Sequence, residues 1–243
     1  MTLQFKIVIM IIPANNIGIL EQDIFPREGL RNYWRFDGDS TDTMGNRNLT
    51  GTTVSYNNTG LTKHLQYGLF GNQGVFEAAG STDTYFRDQV FSFGGWVYYG
   101  PSASNFIIWS HDYTSHSAPY YCQHLRYYSN SYTYYTNRNG SVAGWDYTWY
   151  PSNHRNEWHH VFVTQTTTRF RQYMDGNMLN ENTTHTGNVT YYNRQTWIGA
   201  SPNLSRTSYN AYTSRIDAFG YWTVELSERQ VKDLYNLGTG IYY

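Results

Sequence analysis

Acids, histidines and clustered aromatics are the side chains in this sequence that could do chemistry. Cleaving a glycosidic bond takes two carboxylates ~5–9 Å apart in one cleft, which on a strand means acids at alternate positions. Of the 18 acids, Asp37 and Asp39 have that spacing, but they lie in a turn-forming stretch, where a solvated turn explains them. The run Asp37-Gly38-Asp39-Ser40-Thr41-Asp42 is reminiscent of a calcium loop. Asp42, however, stands where an EF-hand needs glycine, and Asn48 stands where it needs a bidentate glutamate. His159 and His160 are adjacent, so on a strand they point to opposite faces and cannot chelate one ion together. No Gly-x-Ser-x-Gly elbow and no phosphate-cradling loop occurs.

The densest chemical feature is aromatic. Between Tyr120 and Tyr150 there are nine Tyr and two Trp, with His124, Arg126 and Arg138 among them. Flat rings pack on the C–H faces of sugars, while phenol, guanidinium and amide groups hydrogen-bond hydroxyls. Tyr, Trp and Arg are equally the anchors of protein interfaces. Alternation along a strand sends Tyr132 and Tyr134 to one side and Tyr135 to the other, so about half of these rings belong to a core. The candidates for an exposed binding surface are Tyr128, Tyr132, Tyr134, Trp145, Tyr147 and Trp149.

The elements that would position them are mostly short strands. Alternating or apolar runs predict strands at 33–37, 74–78, 91–99, 106–109, 120–128, 132–137, 158–165, 169–174, 177–179, 196–199 and 214–222. Asp175-Gly176 between two such runs predicts a tight hairpin. Ser227-Glu228-Arg229-Gln230 is a capping box, Val231, Leu234 and Tyr235 share one helical face, and Gly238 is placed to end that helix. Many strands and one late helix predict an all-β, antiparallel sandwich, not alternating βαβ units.

Composition narrows the class. The chain has 243 residues, with 25 Tyr, 12 Phe and 8 Trp, a charged fraction of 14% and a net charge of -1. That aromatic content argues against disorder, and the scattered 17 Lys and Arg give no basic stripe for nucleic acid. The single cysteine, Cys122, rules out an internal disulfide and paired-cysteine zinc sites. The apolar run Phe5 to Ile12 is shorter than the ~20 residues a membrane span requires and is a poor secretion signal. It reads as a β-forming arm that pairs with a sheet edge, on this chain or on a neighbouring subunit. Residues 1–29 are therefore expected to be arm and linker, and 30–243 one sandwich domain.

Several segments together resemble laminin-G-like domains of the concanavalin A-like jelly-roll superfamily. They are LRNYWRFDGDSTDTMG from Leu30, FSFGGWVYY from Phe91, EWHHVFVTQTTTRFRQYMDG from Glu157, TWIG from Thr196 and RIDAFGYWTVELSERQVKDLY from Arg215. The resemblance implies a concanavalin A-like sandwich serving adhesion, glycan binding, protein docking or structural packing, and no catalysis follows from it. It also implies a single structural calcium as one reading of Asp42 and Asp217, which match motif positions of relatives that hold an ion on the sandwich rim. The other reading is turn chemistry for Asp42 and a strand-end hydrogen bond for Asp217. The function expected is recognition of a glycan or protein surface, on a virion surface or otherwise extracellular. The alternative is a purely structural decoration protein; a hydrolase or lyase ranks below both.

Overall fold

The computed structural model describes residues 25–57, 67–77, 85–100, 105–111, 123–128, 131–139, 141–149, 154–191, 196–199, 214–236 and 240. The expected arm strand at 3–12 and Cys122 lie outside the described residues. The first strands are β1 (Leu30–Trp34), β2 (Thr50–Asn57), β3 (Tyr67–Glu77), β4 (Phe91–Tyr98) and β5 (Asn105–His111). There follow β6 (Gln123–Tyr128), β7 (Ser131–Arg138), β8 (Ser141–Trp149), β9 (Trp158–Gln165) and β10 (Phe170–Met174). The chain closes with β11 (Asn177–Asn182), β12 (Thr196–Gly199), β13 (Arg215–Trp222) and the helix α1 (Glu228–Tyr235).

Antiparallel pairing builds two layers. The first runs β11-β10-β9-β4-β13 with β1 added to β13, and the second runs β12-β5-β6-β7-β8. The long β3 joins them: Gly68 and Leu69 pair with β13, whereas Phe76 and Glu77 pair with β12. This is the expected all-β sandwich with one short C-terminal helix. Two strands escape the sequence patterns. β2 is rich in Thr and Gly, and among its described side chains Val54 and Tyr56 pack against the core. β8 begins Ser-Val-Ala-Gly and shows no clean alternation.

Rings fill the space between the layers. Trp109 of β5 stacks on Phe219 of β13 (5.8 Å, 14°) and on Phe93 of β4 (5.3 Å, 29°), while Phe86 meets it edge-on at 5.0 Å. Offset and edge-to-face pairs of this kind add ~0.5–1.5 kcal/mol each beyond area burial. In β4, glycine at 94 is a packing requirement, because a Cβ there would meet the Val161 carbonyl oxygen at 2.2 Å.

The outer face of the first layer carries a second apolar cluster. Phe25, Leu30, Tyr33, Trp96, Phe162, Trp222, Leu226, Val231 and Leu234 bury one another beneath α1. Trp222 Nε1 donates to the Pro26 carbonyl (2.7 Å) and Phe25 packs edge-on against Tyr33 (5.4 Å), so residues just before β1 are tied into this layer. Both halves of the capping box form, the Gln230 N–H donating to Ser227 Oγ and the Ser227 N–H to Gln230 Oε1. The helix closes before Gly238. Asn236 takes the left-handed conformation (φ 44°) and donates its N–H to the Lys232 carbonyl, a role asparagine can fill because its short side chain tolerates that region.

Candidate functional site

The two acids matched to a calcium site do different work. Asp42 is buried and saturated with N–H donors. Its Oδ1 accepts from the Tyr33 N–H (2.9 Å) and the Met44 N–H (3.1 Å). Its Oδ2 accepts from Asn32 Nδ2 (2.7 Å), the Asn46 N–H (3.0 Å) and the Arg47 N–H (2.8 Å). Five N–H groups turned on one carboxylate present positive hydrogens where a cation would have to stand, so Asp42 is corrected from metal ligand to anchor of the turn on β1. Asp217 lies opposite Trp96 on β13 and is wholly buried. Burial first, and the nearby Asp37 charge second, push its carboxyl well above the usual carboxylate range, against the Ala218 N–H and Arg35. Beyond that adjacent N–H, neither oxygen has a hydrogen-bond partner. The Asp37 charge is felt at Asp217, but a wholly buried acid offers no groove to a sugar. Among the described residues no three His, Cys, Asp or Glu converge as metal ligands.

The adjacent histidines are structural. His159 Nδ1 lies 2.8 Å from Asp175 Oδ2, and the His160 N–H donates to Asp175 Oδ1 at 2.9 Å. Asp175 and Gly176 adopt φ of 51° and 72°, so the expected hairpin turn also clips its own strand to β9. His160 points the other way, stacked on Phe162 (5.6 Å) and near Trp96 (5.4 Å); burial lowers its pKa to about 4 and keeps it neutral.

Strand parity divides the aromatic segment. Tyr132 and Tyr134 belong to the interlayer core, 3% and 0% exposed. Tyr134 crosses to the first layer, donating its hydroxyl to Gln165 Oε1 (2.7 Å) and meeting Phe170 edge-on (5.3 Å). Tyr132 shares a hydroxyl–hydroxyl hydrogen bond with Tyr99, which stacks on Tyr127 at 4.2 Å. These two are therefore corrected: they hold the layers together and offer no ring to a ligand. The backbones of Tyr128, Trp145, Tyr147 and Trp149 lie on β6 and β8, but their side chains are outside the described residues.

The opposite face of β6 and β7 carries a polar and aromatic layer. Arg126 donates from Nη2 to the Tyr135 hydroxyl (2.7 Å) and packs over that ring (5.1 Å). His124 meets Tyr135 at 5.8 Å and approaches Ser110 Oγ at 3.3 Å. Thr133 pairs with Arg126, and Trp197 of β12 pairs with Ser110. The Thr133 hydroxyl and both amide atoms of Asn137 are buried without hydrogen-bond partners. Of these residues Arg126 is partly exposed and the rest are buried. Register extends the rows onto β8: Thr133 pairs with Tyr147, and Ser131 pairs with both Tyr128 and Trp149. Sequence reading places His124, Arg126 and Tyr135 in the cluster but misses Ser110, Thr133, Asn137 and Trp197. Strand adjacency alone brings these together, across as many as 87 residues between Ser110 and Trp197.

A family model described as the concanavalin A-like lectin/glucanases superfamily matches residues 70–232. No curated protein sequence matches the chain. Among solved structures, it is similar to the binding domain of Paraclostridial Mosquitocidal Protein 1, with a TM-score of 0.65 and 14% identity over 86% of this chain and 52% of that one. It is similar to domain 4 of AbnA, an extracellular arabinanase from Geobacillus stearothermophilus solved with arabinotriose (TM-score 0.61, 15% identity, 84% and 97% covered). Trypanosoma rangeli sialidase also resembles it (TM-score 0.59, 14% identity), this chain being covered to 87% and the sialidase to 33%. The chain thus spans about half of the mosquitocidal binding domain and nearly all of the arabinanase domain.

Proposed function

Because this chain belongs to the concanavalin A-like lectin/glucanase superfamily, we propose that it is a non-catalytic recognition module that takes a glycan on the outer face of its second layer. The observation that carries the reading is the contrast between the two outer faces. That of the first layer is apolar and sealed by α1. That of the second gathers His124, Arg126, Thr133, Tyr135, Asn137 and Trp197 in adjoining rows. All of these but Arg126 are buried and brace the face from behind, so the sugar itself is met by Arg126 and the adjoining positions of β6 and β8, where ring faces and fixed donors would suit a hydroxyl-rich, partly apolar ligand. Arg126, the partly exposed member, marks the side from which a ligand approaches. The rows continue at the backbone positions of Tyr128, Tyr147 and Trp149, which stay in the proposed site together with Trp145.

The named functions of the similar structures support a binding module: one is the binding domain of a toxin, and another is an arabinanase domain solved with an arabinose oligosaccharide. An extracellular or surface setting, a virion surface included, suits that reading. A glycan array probed with the wild-type chain and with Arg126→Ala tests it. The wild type should select a family of glycans, and the variant should lose about tenfold or more in affinity, the equivalent of one charged hydrogen bond, while melting like the wild type. A silent array, or full binding by Arg126→Ala, would refute the reading; capture of the chain by a protein surface at the same residues would replace glycan with a protein partner.

A further inference from the structure

Where β5 ends and β12 begins, arginines and rings gather around a buried histidine. His111 is wholly buried; its Nδ1 lies 2.6 Å from Thr196 Oγ1, and its Nε2 has no hydrogen-bond partner. The Tyr191 ring packs 5.6 Å from the imidazole, and the Arg87 guanidinium lies 6.0 Å from that same ring. Burial chiefly, then the charges of Arg87 and Arg47, hold His111 down to about 3. Arg47 and Arg31 both pack over the Tyr85 ring, at 4.4 and 5.2 Å. The nearby carboxylate, Asp88, is already engaged: Arg31 grips it at 2.6 and 2.9 Å, and the Tyr221 hydroxyl adds a third bond at 3.1 Å.

Arg87 is the odd member of this group. Its Nε and Nη2 are buried and have no hydrogen-bond partner, although the residue as a whole is partly exposed and so belongs to the rim, not the core. These two nitrogens form one edge of the guanidinium fork. Elsewhere in this chain the same edge of Arg169 holds Glu225 through two bonds, at 3.0 and 2.9 Å. A buried charged donor left without an acceptor is costly, and a two-pronged guanidinium edge is shaped for a carboxylate, sulfate or phosphate. In the tautomer whose Nδ1 accepts from the Thr196 hydroxyl, Nε2 of His111 carries the proton, a buried donor on the imidazole that packs against the same Tyr191 ring the Arg87 guanidinium approaches.

We propose that Arg87, assisted by His111 Nε2, receives the oxyanion of an acidic saccharide at the end of the sandwich. Only the word saccharide rests on the glycan reading above; the oxyanion receptor itself does not. The probe is inorganic sulfate, titrated into the full chain against chloride at matched ionic strength. The readouts are the His111 imidazole resonances and the melting temperature. Wild type should show a saturable, sulfate-specific shift of both. Arg87→Met, which keeps the length of the side chain but not its donors, should bind sulfate about tenfold or more weakly, the loss expected for a charged hydrogen bond. Glucuronate and glucose 6-sulfate should compete with sulfate, and glucose should not. His111 resonances that do not move in the wild type overturn the proposal whether or not the variant folds. So does an Arg87→Met variant that binds sulfate as tightly as the wild type, or competition by glucose. Failure with sulfate leaves the outer-face reading standing, because that reading is tested with the array and Arg126→Ala.

Discussion

Replacing Asp42 with asparagine isolates the work of a single carboxylate. The wild-type side chain accepts two hydrogen bonds at Oδ1 and three at Oδ2. An amide keeps one acceptor oxygen. Whichever way it is turned, its NH2 faces at least two N–H donors at the contact distances of 2.7–3.1 Å now seen. Each buried donor so orphaned costs ~1–3 kcal/mol, and loss of the charge weakens the bonds that remain. The sum is about 3–5 kcal/mol, among the larger effects of single substitutions. For a domain of this size that corresponds to a fall on the order of 10 °C in melting temperature. Urea and thermal melts of wild type and Asp42→Asn, each with calcium and with a chelator, measure it. A change below about 1 kcal/mol would refute the anchor argument. A large loss appearing only when calcium is present would refute it differently, by showing that Asp42 is a metal ligand after all.

Three further outcomes follow from groups already described. Asp217 has a carboxyl raised well above its ordinary range, so the folded chain holds that proton more tightly than the unfolded one and loses stability as pH rises. Asp217→Asn should therefore be more stable than wild type at pH 7, by ~1 kcal/mol or more in urea melts, and a less stable variant would contradict this. His160 and His111 are lowered from 6.5 to about 4 and about 3, so the stability they contribute is complete above pH 6.5 and drains as pH falls through the acid range. Going from pH 7 to 4.5 should cost roughly 2–3 kcal/mol per histidine, and His160→Gln should flatten part of that slope; an unchanged slope would count against the assignment. Ser227→Ala removes the cap of α1 and should cost about 1 kcal/mol, read as a shift in urea midpoint with constant slope.

The fold was legible because its patterns are local. The runs at Phe91 and Trp158 show their strands directly, Asp175-Gly176 its turn, and Ser227 to Gln230 its helix start. The site was legible only in part. Alternation states that Tyr132 and Tyr134 share a side, yet which side faces the other layer depends on Gln165 and Phe170, more than 30 residues away. A metal-binding aspartate and a turn-anchoring one look alike in sequence. Asp42 is distinguished by backbone N–H groups from Tyr33, Met44, Asn46 and Arg47, and backbone direction is written in no residue type. The polar rows joining β12, β5, β6 and β7 exist only once strands distant in sequence are laid side by side.

The most direct test of the central claim is amide chemical-shift mapping of the wild-type chain as a glycan selected on the array is titrated in. The largest perturbations should fall at residues 124–126 and 133–137, continuing onto β8, with α1, β10 and β11 undisturbed. Perturbations confined to α1 and the outer face of the first layer would contradict it.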